Sequence, residues 1–134
     1  SLPVERQRQI AVALCRRVLD LAHDVRVKSA LESAGRPDIT EAELQLAAHA
    51  AHAARVDSFA QCGSDASWTA QSGHFVAKAA QACVRIAVPG ESIAWDAAMQ
   101  ARLARTCQTV AEGLGTENTE AREQYRILET FLQR

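Results

Sequence analysis

Two histidines, His49 and His52, stand three residues apart inside a nearly pure alanine run, Ala47-Ala48-His49-Ala50-Ala51-His52-Ala53-Ala54. On a helix this spacing puts both rings on one side with Cβ atoms about 5–6 Å apart, close enough to share one metal ion. A complete site needs a third and usually a fourth ligand from a neighbouring helix, which di-metal bundles supply through Glu-x-x-His motifs. Here Leu46 stands where that Glu would have to be. The other histidines fall on polar rows, His74 with Gln71, Lys78, Gln81 and Arg85, and His23 with Gln9, Arg16 and Asp20. His49 and His52 instead share a helical row with Val56 and Phe59. That register predicts packing against another helix or a subunit contact, with metal ligation by His49 and His52 as the alternative. Half-buried, they would make that contact sensitive to pH near 6.5, the ordinary value for imidazole.

Other chemistry is thinly represented. The sequence has no GxSxG, no glycine-rich phosphate loop and no HExxH, so it names no catalytic residue and no cofactor. Cys15, Cys62, Cys83 and Cys107 form no CxxC pair, which argues against a zinc knuckle or a thioredoxin-like site. They read as buried or half-buried thiols in a reducing compartment, the cytoplasm. A Cys–His nucleophile, His52 with Cys83 or Cys15, is conceivable, but no spacing specifies it. The polar segment Gln61-Cys62-Gly63-Ser64-Asp65-Ala66-Ser67 reads as an interhelical turn and as the surface loop best suited to recognition.

The elements that must position these residues are helical throughout, because no segment sustains period-two alternation. A first helix starts at Pro3 and buries Ile10, Leu14, Val18 and Leu21. Asp24 caps a short second helix with Val27, Leu31 and Ala34 inward, stopped by Gly35 and Pro37. Thr40 and Glu43 form a capping box that opens a third helix, expected to reach about Ala60, with Gly63 and Ser64 turning the chain. A fourth, roughly Asp65 to Val88, shows the stripe Trp68, Phe75, Ala79, Ala82, Ile86. Gly73 inside it suggests a close neighbour or a break. Pro89-Gly90 punctuates. A fifth helix, about Ser92 to Glu112, is expected to turn Trp95, Met99, Leu103, Thr106 and Val110 inward and Arg102, Arg105, Thr109 and Glu112 outward. Gly113 and Gly115 end it. A sixth, from about Thr119, carries Tyr125, Leu128 and Leu132 on one stripe widened by Ile127 and Phe131, with Arg122, Arg126, Glu129 and Gln133 wet. Short loops favour an all-α, up-and-down bundle of five to six helices in one domain.

Composition narrows the partners. Of the residues 48% are hydrophobic, much of that alanine, and 4% are aromatic. Such a core must come from close helix approach rather than from large side chains. Net charge is −1 with no basic run, which argues against nucleic acid. No apolar stretch reaches the ~18 residues of a membrane span. The chain opens on Ser1 rather than Met, which fits a processed start as well as a native one.

Cys15-Arg16-Arg17-Val18, Asp24-Val25-Arg26, Glu41-Ala42-Glu43-Leu44 and the run Ala47 to Arg55 resemble a group of bacterial alanine-rich helical domains, some of them immunity proteins that neutralise a cognate polymorphic toxin. Ser72-Gly73-His74-Phe75-Val76-Ala77-Lys78-Ala79-Ala80 is similar to a second recurring segment of that group. The resemblance spans about residues 15 to 88 and carries no catalytic motif, so it assigns no site residue. It implies a non-enzymatic protein-interaction module, immunity-like in holding a cognate protein. The alternatives are a metal-binding bundle enzyme using His49/His52 and a self-associating structural domain.

Overall fold

Helix α1, Val4–Arg16, begins on Pro3, whose φ of −57° already suits a first helical turn. It gives way to a 3-10 turn, Leu19–Leu21, and the chain re-enters helix at α2, Val25–Ala34, where the Asp24 carboxylate accepts from Arg26 N. The computed structural model describes residues 2–133, apart from the side chain of Asp65, so the processed start considered for Ser1 lies outside the described residues. The remaining helices are α3 (Glu41–Asp65), α4 (Trp68–Val84), α5 (Ile93–Ala111) and α6 (Glu120–Leu132). The described residues form an all-α bundle without strands. Each helix packs on the next in the chain, and α4 also meets α1, α2 and the 3-10 turn.

The capping box at Thr40 is present: Glu43 N donates to Thr40 Oγ1 and Thr40 N to Glu43 Oε1, each at 3.1 Å. Arg36 reaches the same carboxylate. The Arg36 ion pair and the Thr40 bonds hold the Glu43 carboxyl down at about 2. Helix α3 runs through Gly63 and Ser64, past the expected end at Ala60. Ala66 closes it, with φ +51° in the left-handed region. Helix α4 therefore starts at Trp68, capped by Ser67 Oγ accepting from Ala70 N at 3.0 Å, and stops at Val84 rather than Val88.

The core reverses the expected face of α3, shifts that of α5 and splits that of α4. Helix α3 buries Ala47, Ala51 and Ala54, while His49, His52, Val56 and Phe59 stand outside, Phe59 69% exposed. Helix α5 buries Ile93, Ala97, Ala101, Ala104, Cys107 and Thr109; the row expected inside leaves Trp95 57% and Leu103 41% exposed. In α4 the stripe splits: Ala79 and Ala82 are buried, Phe75 is half-buried, and Trp68 and Ile86 are exposed. Its supposedly wet row, Gln71 to Arg85, is half-buried, because α4 is covered by α3 on one flank and α5 on the other. The physical reason is thickness. Alanine faces let helix axes approach closely, whereas facing Trp, Leu and Phe rows would hold them apart and leave the alanines without contacts.

Polar ties replace large core side chains. Arg8, driven into the core by α1, donates to the carbonyls of Cys83 at 2.5 Å and Arg85 at 3.1 Å, satisfying the end of α4. Burial pushes its guanidinium below the ordinary value. Ser72 Oγ donates to Ala104 O at 2.8 Å, pinning α4 to α5. Helix α6 sits apart on a smaller cluster of Ile10, Leu14 and Ala98, covered by Ile127, Leu128 and Phe131. Its fully buried residues are polar, Glu120 and Gln124; Tyr125 and Leu132, expected on its inner stripe, are each 58% exposed.

Candidate functional site

The histidine pair lies on the wall of a groove of about 330 Å³ between α3 and α4, lined also by Leu44, Ala48, Gln81 and Ile86. His52 Nδ1 stands 3.2 Å from Gln81 Nε2, so this nitrogen accepts from the amide. Among the described residues no group of three or more His, Cys, Asp or Glu is arranged to hold a metal ion. The pair does not pack against another helix of this chain, as one reading of its register predicted, since both residues are exposed. His52 is remote from nucleophile chemistry too, because Cys15 and Cys83 are both fully buried, their thiols hydrogen-bonded to each other. That bond and burial raise the Cys15 thiol well above its ordinary value, the opposite of what a nucleophile needs. Cys107 is buried and Cys62 half-buried, as expected of both.

His74 is the histidine that the fold encloses. Half-buried rather than wet, it packs between Phe59 and Phe75, with ring centroids 5.7 and 6.0 Å away. Its Nδ1 lies 2.8 Å from Ser58 Oγ, which in turn donates to Arg55 O at 2.9 Å. A hydroxyl has one proton; given to the carbonyl, it leaves Oγ to accept from Nδ1–H. This is the reverse of the proton path that activates a serine. Asp57, next to Ser58 in the chain, is bound to Arg26 at 2.7 Å and does not orient the ring. Burial, then the charges of Lys78 and Arg55, push the imidazole below its ordinary value, and a hydrogen bond that the ring donates to the Arg55 backbone partly opposes them. Ser58, Asp57, His74, Asp24 and His23 line an open cavity of about 240 Å³ with Leu21 of the 3-10 turn on its wall. Gly73 belongs to the same wall; the helix is unbroken there, and a Cβ would meet Leu21 O at 3.4 Å, an ordinary contact that does not demand glycine. The expected recognition loop is mostly not a loop, because Gln61 to Asp65 complete the last turns of α3.

A surface that sequence reasoning missed lies between α5 and α6. Trp95, Arg102 and Tyr125 surround a cleft of about 200 Å³ floored by Ile10, Leu14, Ala98 and Leu128. The Arg102 guanidinium carbon lies 5.9 Å from the Trp95 ring centroid and 5.8 Å from that of Tyr125, within cation–π range of both. Gln124, 3% exposed, fixes the arginine: its Oε1 accepts from Arg102 Nε at 2.7 Å, and its Nε2 donates to Ala98 O at 2.9 Å. The seven-residue step from Trp95 to Arg102 was a usable signal, since it places both on one face of a helix.

No helix of the described residues is long and apolar enough to cross a membrane. Compared with protein-family models, with curated proteins and with solved structures, the chain matches none.

Proposed function

We propose that this chain is a non-enzymatic helical module that binds a protein partner on its outer helix faces, immunity-like in the sense that it acts by occupying a partner's surface. One observation carries the reading: α3 and α5 bury mostly alanine and leave large apolar residues outside, Phe59 and Val56 on α3 and Trp95 and Leu103 on α5, and α6 exposes Tyr125. Aromatic and arginine side chains of this kind are the usual anchors of protein interfaces. The accessible surface, 7669 Å², exceeds the roughly 6,900 Å² expected of a compact monomer of this mass. That excess fits faces shaped for a partner.

A second reading, self-association, draws support from α3 alone. Between Glu43 and Arg55 the helix carries no formal charge, yet it exposes Leu46 at 71% alongside His49 and His52. Such a strip suits a second copy of itself.

Isolation of the tagged protein from its native host, beside a Phe59→Ala/Trp95→Ala variant, tests the first reading. A defined protein recovered with the wild type and lost with the variant is the expected result. Identical recoveries from both would remove it. Sedimentation across concentration separates the second reading, which requires a dimer that dissociates on dilution and weakens with Leu46→Glu.

A further inference from the structure

We infer that the cleft between α5 and α6 is a carboxylate-recognition site, taking an acidic side chain of a protein partner together with the apolar residue beside it. The inference rests on the protein-binding reading and names the chemistry of one contact within it. With Arg102 Nε committed to Gln124, the two terminal Nη groups are left as a planar fork, and among the described residues no carboxylate pairs with them. No acidic residue lines the cleft, and Arg102 is its one charged wall. The acids adjoining the cleft's own residues are engaged elsewhere, Asp96 beside Trp95 with Arg85 and Glu123 beside Gln124 with Arg126. Charge complementarity therefore asks for an anion, and a fork of this shape meets a carboxylate through two parallel hydrogen bonds.

The floor decides what accompanies the anion. Ile10, Leu14, Ala98 and Leu128 offer aliphatic surface in a volume of about 200 Å³, room for one apolar side chain. A nucleic-acid strand fits less well. A phosphodiester backbone is followed by several cations, and here there is one, already set against the rings of both Trp95 and Tyr125 on which bases would stack. Preorganisation adds to the case. A buried glutamine spends both ends of its amide on holding one arginine still, which lowers the ordering cost of the contact.

Trp95 emission is the readout, in a Trp68→Phe background that leaves Trp95 as the single indole. The probes are a blocked peptide of Glu, Asp, Leu and Phe, its Gln/Asn counterpart with the same apolar residues, and an oligo-dT strand. The acidic peptide is expected to saturate at least about tenfold tighter than its amide counterpart. Arg102→Gln should abolish that preference and Arg102→Lys should lose most of it, with circular dichroism unchanged. Equal affinity for the two peptides, no saturation by either, preference surviving in Arg102→Gln, or saturation by oligo-dT would each overturn the inference. A host partner lost with Phe59→Ala but retained by Arg102→Gln would overturn it while leaving the protein-binding function standing.

Discussion

Glu120 and Arg17 meet through two hydrogen bonds, at 2.9 and 3.2 Å, with the carboxylate 1% exposed and the guanidinium about a third exposed. Arg105 joins them, donating to Glu120 Oε1 at 3.3 Å and to Arg17 O at 2.9 Å. A carboxylate this far from water is tolerated because three guanidinium N–H groups reach it, and removing it strands the Arg17 fork and takes one partner from Arg105, which keeps Gln108 and Arg17 O. Glu120→Ala is expected to cost about 3 kcal/mol in urea unfolding, and Glu120→Gln less, since the amide oxygen still accepts. A loss below about 1 kcal/mol for the alanine variant would mean that the network is a surface pair in effect.

The alanine core makes an unusual ranking of substitutions. Ala51→Leu and Ala101→Leu, both at fully buried positions, should each destabilise by about 1–3 kcal/mol through overpacking. Phe59→Ala, normally a severe change, should fall within about 0.5 kcal/mol of wild type because the ring is 69% exposed. Thermal unfolding of the three variants checks this. A Phe59 variant less stable than the leucine variants would return the large residues to the core.

His74 should give the protein a pH slope. Its folded-state value lies below the unfolded one, because burial and the Lys78 and Arg55 charges disfavour the proton. The unfolded chain then binds more protons as pH falls through the ordinary value near 6.5. Stability is therefore full above that pH and declines as pH drops through the lowered folded value. In His74→Gln the decline between pH 7 and 5 should be shallower, as read from thermal midpoints; an unchanged slope would place the titrating group elsewhere.

Two residues sit where the backbone prefers the other's type. Gly73 is in mid-helix, and an added Cβ would find only ordinary contact with Leu21 O. Gly73→Ala should stabilise by up to about 1 kcal/mol. Ala66 holds φ +51° at the end of α3, so Ala66→Gly should also stabilise, by about 1 kcal/mol. Urea titration of each settles the signs, and a destabilised Gly73→Ala would mean that the 3-10 turn cannot yield at all.

The caps at Asp24 and at Thr40 with Glu43 were legible because each is a local bond that tertiary structure does not change, whereas the end of α3 and both ends of α4 were not. The faces were not. Helices α3 and α5 each carry two apolar rows, one of alanine and one of large residues, and periodicity gives the same score to both. Only the axial distance between helices chooses, and this is a property of pairs that no single helix encodes. For the same reason His74 read as solvated beside Lys78, while the neighbours enclosing it come from α3 as well as its own helix. The Arg102 cleft needed α6 to dock before Gln124 and Tyr125 could reach it.

The seat of α6 has a further consequence, for the order in which the molecule comes apart. It is joined to α5 by an exposed stretch in which Gly113 and Gly115 both take positive φ, and it rests on a separate small cluster. Amide hydrogens of α6 should therefore exchange with solvent through local openings that leave α3 and α4 protected. Each opening carries away Tyr125 and Gln124, so the cleft exists only while α6 is seated. A ligand held there would slow exchange along the whole of α6, far beyond the residues it touches.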